Sequence, residues 1–253
     1  MTTASEHLIH YVLQLADNSM IIGQRNAAWY GHGPILEQDI ALTNITLDLI
    51  GEARSLYQYA AQLEGNGATE DTVAFLRDAR SYRNLLLVEQ ANHDWGNTIV
   101  RQFFYDAFHF YSLQALCSSS DAQLKAIAEK SLKETTYHLK WSSEWVIRLG
   151  DGTAISHEKI QTAVNGLWDY THECFLPSEA DTALAAMGIA PSLENIQAHW
   201  NKKVQEVLQQ ATINIPHHTF AQKGGKQGLH SEELGYLLAE MQHLQRAYPG
   251  VEW

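Results

Sequence analysis

The feature that most constrains this chain is the stretch of residues 98–113, which reads TIVRQFFYDAFHFYSL. Beyond Arg101 almost every side chain is apolar or aromatic, and a helix that is apolar on all sides is a buried helix. The stretch is too short and too aromatic to cross a membrane, which needs roughly 20 apolar residues. We therefore expect a buried helix around which the rest of the chain is organised.

Three polar side chains interrupt this stretch. Gln102, Asp106 and His109 follow the spacing i, i+4, i+7 and project from one helix face. A buried carboxylate and a buried imidazole must be paired, hydrogen-bonded or metal-bound, because leaving them without partners costs several kcal/mol, roughly 2–7 for a neutral polar group alone. The partners of Asp106 and His109 are thus the central question that this sequence poses.

Charge and cysteine content exclude several functional classes. The formal net charge of −12, from 17 Lys and Arg against 29 Asp and Glu, is unfavourable for binding nucleic acids or anionic membranes. Cys117 and Cys174 form no CxxC motif, which favours core positions in a reducing cytosol. The N-terminus lacks the apolar run of a signal peptide, and no segment is long and apolar enough to span a membrane. These features predict a cytoplasmic protein.

Helical periodicity and capping signals predict an all-α chain. Thr3 and Glu6 form a capping box, as do Ser120 and Gln123, while Ser156 and Ser231 start two further helices. We see no strand pattern, repeat or domain boundary, so residues 1–253 are predicted to form a single domain around a four-helix bundle. The expected helices span about residues 3–29, 36–63, 85–113, 121–149, 156–176, 179–187, 192–211 and 231–248, and the third has an expected interruption near residues 92–96.

Polar residues within the four helices at 36–63, 85–113, 121–149 and 156–176 form a suggestive series. Its order is carboxylate, carboxylate-x-x-His, carboxylate, carboxylate-x-x-His, which is the di-iron ligand pattern of ferritin-like bundles. Carboxylate and imidazole suit iron or manganese, and i, i+3 spacing places both over one helical turn. The candidate ligands are Asp48, Asp106, His109, Glu134, Asp169 and His172.

A metal-free interpretation of the same residues stays open. Several of the carboxylates are Asp, whose shorter side chain is less suited to bridging two metals, and His138 can pair with Glu134 on the same helix. The residues would then form buried ion pairs and hydrogen bonds that hold the helices in register. Separately, Lys223 and Lys226 in the KGGKQG turn are candidates for contact with a phosphate or coenzyme A, although the turn lacks the P-loop motif.

The sequence resembles the ferritin-like accessory subunits, the C subunits, of bacterial phenylacetyl-CoA epoxidases (phenylacetate-CoA oxygenases) almost from end to end. The resemblance is carried by residues 15–25 and 29–61, by LLLVEQANHDWGNTIVRQFFYDAFH (85–109), by KETTYHLKWSSEW (133–145) and by the tail at 223–250. It implies a ferritin-like bundle with additional N- and C-terminal helices.

The resemblance also implies a role. It implies a non-catalytic subunit that has no catalytic residues and no cofactor of its own, and whose six candidate ligands are vestigial. The di-iron site then belongs to a homologous catalytic partner, and the flavin and iron–sulfur cluster to a reductase subunit. The alternative is a di-iron oxygenase or oxidase that is active in its own right.

The expected partners are the other subunits of the epoxidase complex, or a second copy when the chain is alone. We expect the helices near 36–63 and 85–113 to supply much of the docking face, because their apolar content exceeds what one core face requires. The tail ending in Trp253 is a further candidate for docking.

Overall fold

The computed structural model describes residues 3–217 and 220–251, which form eleven α-helices and no β-strand. None of these helices is long and apolar enough to cross a membrane. The helices are α1 (Ala4–Ala27), α2 (Leu36–Glu64), α3 (Glu70–Phe75), α4 (Leu86–Glu89), α5 (Trp95–Leu116), α6 (Ala122–Gly150), α7 (Ala154–Thr171), α8 (Glu179–Ala186), α9 (Leu193–Gln210), α10 (Glu232–Met241) and α11 (His243–Ala247).

Two antiparallel hairpins form a ferritin-like four-helix bundle. Helix α1 packs along the length of α2, α5 packs along α6, and α2 contacts α6 across the bundle. The first helix is therefore a member of the bundle. Helices α7 and α9 pack on the outside of α5 and α6, and α8 packs against α1. The all-α, ferritin-like prediction is confirmed, but α7 lies outside the four central helices.

Capping residues explain where several helices begin. The Thr3–Glu6 capping box is present as predicted. Asp121, and not Ser120, caps α6, since its carboxylate accepts the N–H of Leu124 at 2.8 Å. Helix α7 begins at Ala154 with Thr153 as its cap, so the start predicted at Ser156 is wrong. Short polar side chains are common near helix starts, and the sequence alone does not decide which one caps.

The interior contains two apolar cores. The first surrounds Ile45 and Phe104, and the second surrounds Leu13 and Leu56. On α2, Leu49 belongs to the first core and Ala53 to the second, on either side of Glu52. On α5, Phe108 belongs to the first core and Leu113 to the second, on either side of His109. A layer of polar side chains thus crosses the bundle between the cores.

Candidate functional site

This polar layer is defined here by eight residues of the four bundle helices. They are Ser19 on α1, Asp48 and Glu52 on α2, Gln102, Asp106 and His109 on α5, and His138 and Ser142 on α6. Six of them are less than 5% exposed, so water satisfies few of their polar atoms. Their hydrogen bonds therefore have to be found within the chain.

Asp106 is fully buried and hydrogen-bonded on both carboxylate oxygens. Gln102 donates its amide N–H to Oδ1 at 2.6 Å, and Ser142 donates its hydroxyl to Oδ2 at 2.7 Å. Burial raises the pKa of Asp106 above its ordinary value, because these donors and the nearby His138 only partly offset the loss of hydration. The two donors tie α5 to itself and to α6.

His109 is paired with Glu52 across the bundle. The Nε2 atom of His109 lies 2.8 Å from Oε1 of Glu52, and Ser19 donates its hydroxyl to the same oxygen at 2.8 Å. Burial alone raises the pKa of Glu52, but His109 and the surrounding hydroxyl groups outweigh it, and the pKa lies below its ordinary value. The ring of Tyr105 stacks on that of His109, with centroids 5.0 Å apart. Three helices meet at this pair.

His138 makes the third interhelical contact of the polar layer. Its Nε2 atom lies 2.9 Å from Oδ2 of Asp48, whose side chain is 34% exposed. Glu134, one turn before His138, is half-buried, and its pKa is raised by burial and then by the charge of Asp48. This end of the layer therefore opens toward solvent with two carboxylates close together.

Asp169 and His172 do not join the polar layer. Asp169 lies on α7, where its Oδ1 accepts the N–H of Phe220 at 3.2 Å and its carbonyl oxygen accepts the N–H of Gln222. His172 lies in the 3₁₀ turn that follows α7. The structure thus places three of the six predicted residues, Asp48, Asp106 and His109, in the polar layer, with Glu134 beside its solvent-facing end. The other two lie apart, because α7 is not a member of the bundle.

Sequence reasoning missed several members of the polar layer. Glu52 lies one helical turn after Asp48, and only its burial in the structure distinguishes it from Asp48. His138 pairs with Asp48 across the bundle, so the pairing with Glu134 considered from the sequence is not the contact formed. Ser142 had no visible signal, because a serine inside a helix is usually uninformative.

A buried arginine extends the polar layer toward the start of α5. Arg101 is 0% exposed and donates to the carbonyl oxygen of Gln90 at 2.5 Å and to Asn92 Oδ1 at 2.7 Å. Asn26 bridges it to the layer, since it accepts from Arg101 and donates to Gln102. Burial, and then repulsion from Arg25, lowers the pKa of Arg101 to about 9.

The side chains of the polar layer do not fit a di-iron centre as they are arranged. Such a centre needs four carboxylates and two imidazoles that converge. Here each imidazole faces a different carboxylate, and both oxygens of Asp106 accept hydrogen bonds. Among the residues described, no group of three or more His, Cys, Asp or Glu side chains could hold a metal ion. In chemical terms, Glu52 and Asp48 each face one imidazole, and Asp106 is satisfied by uncharged donors.

The two lysines of the KGGKQG turn have different environments. The Lys226 ammonium is buried and donates to the carbonyl oxygen of Leu176 at 2.8 Å and to Asp181 Oδ2 at 3.2 Å. The side chain of Lys223 is exposed and forms no ion pair among the described residues. Glu173, buried beside the turn, accepts the N–H groups of Gly224 and Gly225, both at 2.7 Å. The turn is thus anchored to the domain body by a carboxylate and an ion pair.

The helical bundle with its internal carboxylate–imidazole layer places this chain in the ferritin-like class. Residues 1–253 match the sequence model of the family described as phenylacetic acid catabolic protein, and the chain belongs to that family. It is 48% identical over 246 residues to the C subunit of the 1,2-phenylacetyl-CoA epoxidase of Escherichia coli (strain K12), an alignment that covers 97% of this chain and 99% of that protein. The resemblance predicted from the sequence is confirmed.

Proposed function

We propose that this chain is the non-catalytic subunit of a cytoplasmic 1,2-phenylacetyl-CoA epoxidase, and that it pairs with and stabilises a homologous di-iron catalytic subunit. The similarity to the C subunit of the Escherichia coli enzyme along almost the whole chain supports the assignment to such a complex. On this proposal the chain holds no cofactor. The iron belongs to the catalytic partner, and the flavin and iron–sulfur cluster to a reductase subunit.

The observation that carries the non-catalytic role is the pairing within the polar layer. Asp106 accepts two hydrogen bonds from uncharged donors, and Glu52 is held by His109 and Ser19. A metal ion could bind here only after these bonds had broken, and each hydrogen bond to a charged group contributes about 1.5–3 kcal/mol. The polar layer instead fixes the register of one hairpin against the other, which is the rigidity that a structural subunit requires.

The first turns of α2 offer a face for the catalytic partner. Leu36, Ile40 and Leu47 lie on one side of this helix and are 68%, 51% and 62% exposed. We call these three residues the α2 face. Tyr137, 49% exposed on α6, is adjacent in sequence to the His138 that pairs with Asp48 of α2. Exposed apolar side chains in such a group are typical of a protein–protein interface.

Helix α5 does not contribute to an outer face, which corrects the expectation for residues 85–113. Sixteen of its residues are buried, because α6, α7 and α9 cover it. Its high apolar content fills the core on several sides. The tail residue Trp253 lies outside the described residues.

The experiment that tests the proposed role compares iron content and assembly. The chain and its catalytic partner are purified separately from iron-replete cells, titrated with Fe(II), and then mixed. We expect a di-iron complement in the partner only, and epoxidase turnover that requires both chains. A di-iron complement in this chain, with oxygen consumption in the absence of the partner, would instead identify an oxygenase active in its own right.

An Asp106→Asn variant of the chain sharpens this comparison. If the polar layer is structural, the variant is less stable but still supports turnover once it has assembled with the catalytic subunit. A fully folded and assembled variant without turnover would contradict the non-catalytic role.

A further inference from the structure

A cavity of about 340 Å³ lies away from the polar layer, where four separate segments of the chain meet. His7 and His10 on α1 form one wall, and Ser178 and Glu179 at the start of α8 form another. Arg83 and Lys226 complete the lining. The cavity thus joins the beginning of the chain, the segment after α3 and the KGGKQG turn.

The cavity is rich in basic side chains although the chain as a whole carries a net charge of −12. Four of its lining residues can be cationic, and Glu179 is the one lining carboxylate. Lys226 is neutralised by Asp181, which is buried behind the lining. At neutral pH the imbalance therefore rests on Arg83, and the two histidines add to it when they are protonated.

Arg83 is a guanidinium without an ion pair in the described part of the chain. It donates to the carbonyl oxygens of Arg80 and Tyr82, at 2.7 and 2.8 Å, through a single nitrogen, Nη1. The neighbouring carboxylate of Asp17 is already bound by Tyr57 and Arg77. The remaining guanidinium donors of Arg83 have no acceptor among the described residues, and such donors bind an oxyanion well.

The histidines of this wall add positive potential only when they are protonated. The imidazoles of His7 and His10 make no hydrogen bond to another described residue. The pKa of His10 is lowered by partial burial and then by the charges of Arg83 and His7, against the opposite effect of two carboxylates. The charged and titratable groups around His10 are Glu6 and His7 on α1, Glu179 on α8, and Arg83.

The start of α8 faces the same space with unused backbone donors. Ser178 caps this helix by accepting the N–H of Asp181. The N–H groups of Glu179 and Ala180, the first two residues of the helix, have no acceptor in the described structure, and both residues line the cavity. Backbone donors at a helix start favour an anion.

From this convergence of donors we propose that the cavity binds a small oxyanion, namely a phosphate or the phosphate group of a larger ester. Arg83 is its main ligand, His7 and His10 contribute when protonated, and the N–H groups at the start of α8 complete the site. The site does not depend on the polar layer or on the proposed role in the epoxidase.

Isothermal titration of the full-length chain with inorganic phosphate and with sulfate tests the site. We expect saturable binding of one anion per chain, weakened about tenfold or more by Arg83→Gln because a charge-assisted bond is lost. Lys223→Gln is the matched control, since it removes one positive charge from a side chain outside the cavity lining. Its affinity should equal that of the unmodified chain.

The pH dependence of sulfate binding provides a second test, because sulfate keeps its charge over the range used. Binding should be tighter at about pH 6 than at about pH 8, where imidazoles are neutral. The double variant His7→Gln, His10→Gln should lose this difference. It also replaces Arg83→Gln as the decisive variant if the latter does not fold, as judged by thermal unfolding.

Comparison with coenzyme A identifies the source of the phosphate. Tighter binding of coenzyme A than of inorganic phosphate, with the same sensitivity to Arg83→Gln, indicates a site for a phosphate ester. Equal or weaker binding indicates a site for the free anion. The proposal is overturned if neither phosphate nor sulfate binds saturably, or if both sets of variants bind them as well as the unmodified chain does.

Discussion

At the scale of single residues, Glu52 shows how an apolar bundle accommodates an ionised carboxylate. Its side chain is 4% exposed, yet its pKa lies below the ordinary value, because an imidazole and hydroxyl groups surround it. Asp106, on α5, has neutral donors on both oxygens and a raised pKa. The pKa values of the two carboxylates are therefore shifted in opposite directions although both belong to the polar layer.

We predict that Glu52→Gln lowers the free energy of unfolding by about 3–5 kcal/mol at neutral pH, because it breaks a buried pair and leaves His109 without its carboxylate. Since the pKa of Glu52 is lower in the folded than in the unfolded chain, its stabilising contribution is present above about pH 4.5 and is lost as the pH falls through the folded value. Urea unfolding at several pH values measures both effects.

The control for this variant is Glu144→Gln on the same bundle. The Glu144 side chain is 63% exposed and lies 3.9 Å from Lys140. Its loss should change stability by no more than about 0.5 kcal/mol. Equal stability of the Glu52 and Glu144 variants would show that the polar layer does not support the fold.

The residues of the polar layer were predictable only in part. Asp106 and His109 stand out because they interrupt an aromatic helix. Their partners lie on other helices, and spacing along one helix carries no information about which helices touch. Asp169 and His172 have the same i, i+3 spacing as Asp106 and His109, yet α7 packs outside the bundle. The sequence showed the carboxylate-x-x-His spacing but not which helices pack against it.

At the scale of elements, α2 and α5 show two ways to use a helix of high apolar content. Helix α5 is covered on several sides, whereas α2 buries one side and exposes the α2 face in its first turns. Hydrophobic composition predicted both helices well. It did not show whether the apolar side chains beyond one core face would be buried, as on α5, or exposed, as on α2. That distinction depends on α7 and α9, whose packing on α5 is a tertiary property.

We predict that replacing the α2 face with Gln at Leu36, Ile40 and Leu47 weakens binding to the catalytic subunit by at least about a hundredfold. Burial of each of these side chains contributes roughly 1.5–3 kcal/mol to association. Stability of the isolated chain should hardly change, since all three are exposed. Calorimetric titration with the purified partner measures the affinity.

A matched control variant carries Gln at two other exposed apolar positions. Met187 and Leu244, both 51% exposed, lie outside the bundle. This variant should bind the partner normally. If it loses affinity and the α2 variant keeps it, the docking face lies near Met187 or Leu244 and not on α2.

At the scale of the whole molecule, backbone N–H groups of residues 224–231 donate hydrogen bonds to buried carboxylates from distant parts of the chain. Glu173 accepts the N–H groups of Gly224 and Gly225, and Glu89 accepts that of Ser231 at 2.7 Å. Both carboxylates are at most 1% exposed. Buried acids with backbone donors as partners act as clamps, so the segment is bound to the rest of the molecule at defined points.

We predict that Glu173→Gln loosens the KGGKQG turn without disturbing the bundle. Loss of charge-assisted bonds, worth about 1.5–3 kcal/mol each, should speed amide hydrogen exchange in residues 223–231 by about tenfold or more. Glu232→Gln, an exposed change on α10, is the control. Unchanged exchange in the turn, or equal acceleration in α1 and α2, would be incompatible with a local clamp.

The same clamps bear on how the chain folds during its synthesis. Glu89, Glu173 and Asp181 leave the ribosome well before the N–H groups and the ammonium that satisfy them, which belong to residues 224–231. Until then these carboxylates have only the donors that come earlier in the chain, such as Asn84 for Glu89 and the N–H of Leu86 for Glu173. The region around α4 and α8 therefore has to remain hydrated. The bundle hairpins can form early from local contacts. The region around α4 and α8 can complete its packing only when the last few dozen residues have been made. The order of synthesis therefore determines that the bundle core excludes water before the region around α4 and α8 does.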